Sequence, residues 1–253
     1  MLSILLARFQ QKYRTMAWPA GPAPALPARL AGRPRLDRTA CQQCGTCAAA
    51  CPVGAITCQE GLTLDTGRCL FCRACERACS RQAIQFTQEY RLGAAAREAL
   101  LVRDAAAAYP PALVEKARAY FGRSLKLRQV SAGGCNACEA DTNVLSTVAW
   151  DLGRFGIQFV ASPRHADGLF ITGPVSANMR LALEKTYAAV PDPKIVIACG
   201  ACAIAGGPYA GHPEVHDGAS AVVPVDLFIP GCPPHPLTIL DALLRFVGQV
   251  PEE

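Results

Sequence analysis

The 253 residues, 51% of them hydrophobic, suffice for one large domain or two small ones with a packed interior, which excludes a disordered chain. The net charge of +5 is concentrated at one end: residues 1–40 hold seven Arg or Lys against Asp37 alone, and the remainder is close to neutral, so no folded basic surface marks nucleic acid as a partner. Fourteen cysteines accompany an apolar start at Met1–Phe9 that Arg8 interrupts and no charged region precedes, and no apolar run is long enough to span a bilayer, which argues against a secreted disulfide scaffold and for reduced thiols used as ligands in a cytoplasmic protein.

Residues 1–40 read as a basic, Pro-rich arm. Over 1–16, Leu2, Leu5, Leu6, Phe9 and Tyr13 share one face of a short amphipathic helix, with Arg8, Lys12 and Arg14 on or beside the polar side. Two readings stand: the stripe packs on the protein's own body, or it docks at an interface, on anionic lipid headgroups or on a neighbouring subunit. Pro19, Pro22, Pro24, Pro27 and Pro34 then favour an extended, polyproline-like segment, because each fixes φ and removes a donor. That segment is either a loose linker or a strap laid across a neighbour.

Residues 41–91 are expected to form a module with two 4Fe–4S clusters. Cys41, Cys44, Cys47 and Cys51 recur 28 positions later as Cys69, Cys72, Cys75 and Cys79, and Ala55-Ile56 recurs as Ala83-Ile84. In this spacing three thiolates wrap one face of a cluster, and the fourth, a helical turn away, serves the other cluster. The expected sets are Cys41, Cys44, Cys47 and Cys79 for the first cluster, and Cys69, Cys72, Cys75 and Cys51 for the second. Paired C-x2-C units feeding structural zinc are the competing chemistry, but two identical four-cysteine runs fit iron–sulfur better. Pro52 follows Cys51 as the motif prefers, whereas Ser80 follows Cys79. Arg68, Arg73, Arg77 and Arg81 are expected near the second cluster, where positive charge would raise its potential above the first.

Residues 92–123 read as an Ala-rich helical linker broken at Pro110-Pro111. Residues 124–253 then alternate strands near 126–130, 157–161, 168–172, 194–198 and 225–229 with helices over 139–153, 176–189 and 236–247. Short buried strands separated by helices indicate an α/β domain with an open parallel, flavodoxin-like sheet after the α+β ferredoxin module. Cys135 and Cys138 follow the first strand, Cys202 the fourth and Cys232 the fifth. Ligands of such sheets bind beyond the carboxyl ends of strands, so these cysteines are expected to converge. Cys199 competes with Cys202 on spacing alone, and Cys58 reads as a small packed residue.

The stretches 134–139 (Gly-Cys-Asn-Ala-Cys-Glu), 161–167 (Ala-Ser-Pro-Arg-His-Ala-Asp), 172–175 (Thr-Gly-Pro-Val), 202–207 (Cys-Ala-Ile-Ala-Gly-Gly) and 230–234 (Pro-Gly-Cys-Pro-Pro) carry a resemblance. Residues 124–248 resemble the small electron-transferring subunit of energy-converting nickel–iron hydrogenases, of formate hydrogenlyase and of complex I, where it is about 20 kDa. The first 105 or so residues resemble the two-cluster ferredoxin subunit of the same complexes, here joined in one chain. The resemblance implies that Cys135, Cys138, Cys202 and Cys232 hold a third 4Fe–4S cluster beside the active site of a catalytic large subunit, and it favours Cys202 over Cys199. It sets Arg164 and His165 near that cluster. Glu139 is either a proton relay or an acid stabilised at a helix N-terminus. Complex I places its first two ligands side by side, so the Cys135-x2-Cys138 spacing leans to the hydrogenase side.

No nucleophile–base pair or nucleotide-binding fingerprint is evident, so catalysis by the chain alone is not expected. The expectation is a three-cluster electron relay within a membrane-associated complex. It would be peripheral on the cytoplasmic face of the inner membrane, with a large subunit and membrane subunits as partners. The rivals are a related complex whose large subunit has lost nickel, and a non-redox metal scaffold or assembly factor.

Overall fold

The 28-residue offset of the cysteines is also an offset of backbone conformation. In the computed structural model, which describes residues 2–12, 14–59, 61–103, 121 and 124–250, left-handed φ angles recur in register. Gln43 (53°) matches Phe71 (54°), Gly45 (75°) matches Arg73 (59°), and Gly54 (59°) matches Gln82 (51°). Left-handed backbone is costly for residues other than glycine, so its recurrence marks turns dictated by the thiol spacing and not by local preference. Each loop runs into a short helix, α2 (Thr46–Ala49) and α3 (Ala74–Ala78).

Strand pairing follows the same pseudo-twofold pattern. β1 (Pro34–Leu36) pairs antiparallel with β4 (Ile84–Phe86), and β2 (Ile56–Thr57) with β3 (Thr63–Asp65); Leu36 faces Ile84 as Leu64 faces Ile56. β5 (Leu101–Val102) extends the second sheet through Leu64 opposite Val102. The inward side chains of these strands bury one apolar core together with Cys47, Cys69 and Cys75. The two halves are thereby held face to face.

The arm divides at Lys12. In α1 (Leu2–Gln11), Leu2, Ile4, Leu5, Leu6 and Phe9 are 55–80% exposed, so this stripe does not pack on the protein's own body. Tyr13 lies outside the described residues. From Thr15 onward the arm is an ordered strap. The Thr15 hydroxyl and Met16 N–H donate to the carbonyls of Val148 and Ala149, both at 3.0 Å. Arg154 donates to the carbonyls of Met16 and Trp18 at 2.7 Å, and Trp18 is buried edge-on against Tyr90. Gly32 and Arg33 then donate to Thr87 and Glu89, carrying the strap onto the ferredoxin sheet.

The helix expected from residue 92 does not start there. Ala94 exchanges two hydrogen bonds with Phe228, a 3-10 turn spans Arg97–Leu100, and β5 follows. The burial of Leu92, Ala94 and Leu100 in tertiary contacts outweighs alanine's high helix propensity. The remainder of that expected helix, 104–120, and its break at Pro110-Pro111 lie outside the described residues.

The C-terminal half holds β6 (Leu125–Ser131), α4 (Ala137–Val144), β7 (Ile157–Phe159), β8 (Gly168–Thr172), α5 (Ala177–Ala189), β9 (Ile195–Cys199), α6 (Ala201–Ala205), β10 (Leu227–Ile229) and α7 (Pro236–Phe246). The five strands form one parallel sheet in the order β10-β9-β8-β6-β7. Alternate side chains feed apolar layers on both faces, with Leu125, Leu127, Phe170 and Ile197 towards α7, and Val130, Ile171, Val196 and Ala198 on the other side. The chain reverses its direction of travel across the sheet at β6, which opens a crevice at the carboxyl ends. The helix expected over 139–153 ends at Val144, because Ser146, Thr147 and Asp151 favour turns and Asp151 takes φ 48°. α6, a single buried turn after β9, has no counterpart among the expected helices.

Candidate metal centres

The thiols fall into three groups. Cys41, Cys44, Cys47 and Cys79 line one pocket, and Cys51, Cys69, Cys72 and Cys75 line another, so the fourth cysteine of each run faces the opposite half. The exchange is fixed by matched backbone donors: Ala55 N–H reaches Cys51 Sγ at 3.2 Å, and Ala83 N–H reaches Cys79 Sγ at 3.3 Å. Phe71 N–H adds a bond to Cys69 Sγ at 3.2 Å. Burial, followed by the neighbouring thiols, pushes Cys69 up to about 12 and Cys75 up to about 11. Cys47 rises to about 12 through burial and the adjacent Cys58. Thiols so placed ionise only against a cationic core.

Cys58 lines the first pocket with the four expected thiols, its sulfur 3.8 Å from that of Cys47. It also packs against the ferredoxin core, as expected of a small apolar residue. The available signal is its place in the repeat: 28 positions on stands Phe86, not a cysteine.

The arginines are divided differently from the expectation. Arg73 lines the second pocket but is paired with Glu76 at 2.5 Å, and Arg81 lines the first pocket. Arg77 is taken up by the carbonyl of Cys72 at 3.0 Å. Arg77 thus keeps its charge at the second site, whereas Glu76 offsets that of Arg73 and Arg81 stands at the first site.

The third group lies at the carboxyl ends of the parallel strands. Cys135 follows β6, Cys138 sits in α4, Cys202 in α6, and Cys232 follows β10. Burial raises Cys138 strongly, and the charges of Cys202, Cys232 and Cys135 add to it; burial with Cys232 and Cys135 brings Cys202 to about 11. Gly200 and Ala201 donate to the carbonyls of Ile229 and Gly231 at 2.8 Å, and Gly200 lies against Cys138, which brings the segments carrying Cys138, Cys202 and Cys232 to one space at the end of the sheet. Gly200 and Gly207 border it: an added Cβ would stand 2.5 Å from Cys138 Sγ and 2.7 Å from Cys202 Sγ respectively. Cys199, wholly buried, belongs to the apolar layer with Ile197 and Ile229.

Glu139 is buried in the first turn of α4 and accepts from Ser131 at 2.5 Å and Thr172 at 2.6 Å, which ties the helix to the ends of β6 and β8. Arg164 and His165 are exposed on a 3-10 turn between β7 and β8. Both ends of that loop are in register with Leu127, short of Ser131 at the end of β6.

The third group also meets the second. Burial and the charge of Cys135 raise Cys232, and the next contributor is Cys72 from the ferredoxin half. A shared cavity between the halves is lined by Phe71 on one side and Gly231, Pro233 and His235 on the other, with Leu30 and Gly32 of the strap beside them.

As a donor set, four thiols per site, small residues at close approach and N–H donors aimed at sulfur fit a bulky iron–sulfide core. Among the described residues no three His, Cys, Asp or Glu side chains gather tightly enough for a single metal ion.

The family described as NADH ubiquinone oxidoreductase, 20 Kd subunit, matches residues 135–246, a stretch that begins at the first thiol of the third group and contains all four. A 4Fe–4S binding domain matches residues 34–57, from β1 through the first cysteine run. The chain is 39% identical over 142 residues to the probable membrane-bound hydrogenase subunit mbhJ of Pyrococcus furiosus, covering 53% of this chain and 85% of that protein. The chain belongs to this 20-kDa-subunit family. It is also 40% identical over 131 residues to formate hydrogenlyase subunit 7 of Escherichia coli, covering 52% of this chain and 51% of the relative. An NADH-quinone oxidoreductase subunit from Heliobacterium modesticaldum is 37% identical over 120 residues, covering 47% of this chain and 69% of the relative. The family member described here carries its ferredoxin-type domain on the same polypeptide.

Proposed function

We propose that this chain is an electron relay holding three 4Fe–4S clusters in the order first, second, third, delivering electrons to, or taking them from, the catalytic large subunit of a hydrogenase-type complex. The observation that carries the reading is the cavity between the halves, where Phe71, the neighbour of Cys72, faces Gly231 and Pro233, the neighbours of Cys232, which supports the second thiol group standing next to the third. The clusters, when bound, supply one-electron chemistry at potentials tuned by hydrogen bonds and charge. The protein's own part is to hold them. Cys41, Cys44, Cys47 and Cys79 take the first, Cys69, Cys72, Cys75 and Cys51 the second, and Cys135, Cys138, Cys202 and Cys232 the third.

The division into an arm (1–40), a ferredoxin module (41–91), a linker (92–123) and a cluster-bearing α/β domain (124–253) serves this purpose, and the strand order supports a flavodoxin-like reading of the last. The Cys135-x2-Cys138 spacing supports a hydrogenase-type large subunit, and the similarity to a subunit of NADH-quinone oxidoreductase keeps a nickel-free partner as the second reading. Among the described residues no helix is long and apolar enough to cross a membrane, and the attachment proposed here is a peripheral one to membrane subunits. The exposed apolar stripe and basic residues of α1 support such a contact.

The test is to tag the chain in its own cells, isolate it with its complex and sequence the co-purifying subunits. The expected result is a large subunit with two Cys-x2-Cys pairs together with membrane-spanning subunits. A large subunit without those pairs selects the second reading, and isolation of the chain alone contradicts both.

A further inference from the structure

The first thiol site contains one sulfur more than a 4Fe–4S cluster uses. Cys58 stands just after β2, lines the pocket with Cys41, Cys44, Cys47 and Cys79, and brings its Sγ to 3.8 Å from that of Cys47. The second site provides an internal control, because the two halves repeat at an offset of 28 residues in cysteines, in left-handed turns and in strand pairing. Its counterpart of Cys58 is Phe86, which lines the second pocket and packs edge-on against Phe71. A ring there fills space and cannot bind iron. The first site therefore departs from its own repeat by placing a thiol within reach of one ligand.

We infer that Cys58 is an exchangeable fifth ligand of the first cluster, able to take over the iron that Cys47 holds. The inference rests on the assignment of a cluster to this site. With a cluster bound, Cys58 would give its proton to Cys47 as it replaced that thiolate on the iron, an exchange that is balanced without an oxidant or reductant. The sulfur–sulfur contact is the path for that proton. The iron changes its thiolate but not its charge. In the second site a lost ligand has no such replacement, so the two clusters of one module differ in their tolerance of ligand loss.

Iron analysis and EPR of the dithionite-reduced full chain test this with Cys47→Ala, Cys58→Ala and the double variant. Wild type is expected to hold about twelve irons, and both single variants are expected to keep that number. The double variant is expected to lose about a third of the iron and the signal of the first cluster, with the third cluster's signal reporting an intact fold. Cys47→Ala should retain a 4Fe–4S signal shifted in g-values, as a changed ligand geometry requires. Loss of the first cluster in Cys47→Ala to the same extent as in the double variant, failure to fold included, overturns the inference. So does its loss in Cys58→Ala alone. A wild-type chain without a cluster at this site overturns the underlying assignment instead.

Discussion

Gly200 has a φ of 91°, and a methyl group there would stand 2.5 Å from Cys138 Sγ. Both facts oppose any side chain: the backbone is left-handed, and the space belongs to a thiol. Gly200→Ala is expected to abolish the third cluster alone, removing about a third of the iron while leaving the ferredoxin signals, as iron analysis and EPR would record. Asp241 matters through its charge. It is buried in α7, and Arg245 donates to both of its oxygens at 3.1 Å. Burial outweighs the arginine and lifts the carboxyl to about 6. Between its ordinary value and that figure the folded chain binds more protons at this site than the unfolded chain, so the site's contribution to stability is full at the acid end and is lost as the pH rises towards 6 and beyond. Asp241→Asn should flatten this part of the profile, measured as urea unfolding of both proteins from about pH 4 to 7. Neither residue can be singled out from the sequence, since each matters through neighbours distant along the chain.

At the scale of elements, the crossed thiol sets are the feature most open to substitution. Removing Cys51 should abolish the second cluster, and removing Cys79 the first. The two outcomes are separable because the second set adjoins the third: in Cys51→Ala the magnetic interaction with the third cluster disappears from the reduced EPR spectrum, and in Cys79→Ala it persists. Uncrossed ligation would reverse the two spectra. The repeat is legible in the sequence because iron ligation demands one residue type at fixed spacing, and the strands of the parallel sheet are legible from their short buried runs. Composition alone favours a helix over 92–121, yet residues 92–102 instead pair with Phe228 and build β5. It likewise makes the helix over 139–153 too long, because turns at Thr147 and Asp151 end it. Tertiary partners overrule propensity in both. The nearness of Arg81 to the first site depends in the same way on how the halves are apposed, whereas that of Cys58 to Cys47 is set within the first half by how α2 lies against the end of β2.

For the whole molecule, the strap is what makes two modules one body. It leaves the exposed α1, fastens to Arg154 and Ala149 of the α/β half, buries Trp18 against Tyr90, and ends as β1 in the ferredoxin sheet. The Ala94–Phe228 bridge makes a second connection. These ties fix the junction at which Phe71 faces Gly231 and Pro233, and a relay needs the separation of the flanking thiols to stay fixed. A three-cluster relay is tested by combined iron, sulfide and zinc analysis of the intact chain purified without oxygen, with EPR after reduction by dithionite. The expected result is about twelve irons with matching sulfide and three interacting reduced 4Fe–4S clusters. Zinc in place of iron, or about eight irons with no signal from the α/β half, would contradict it.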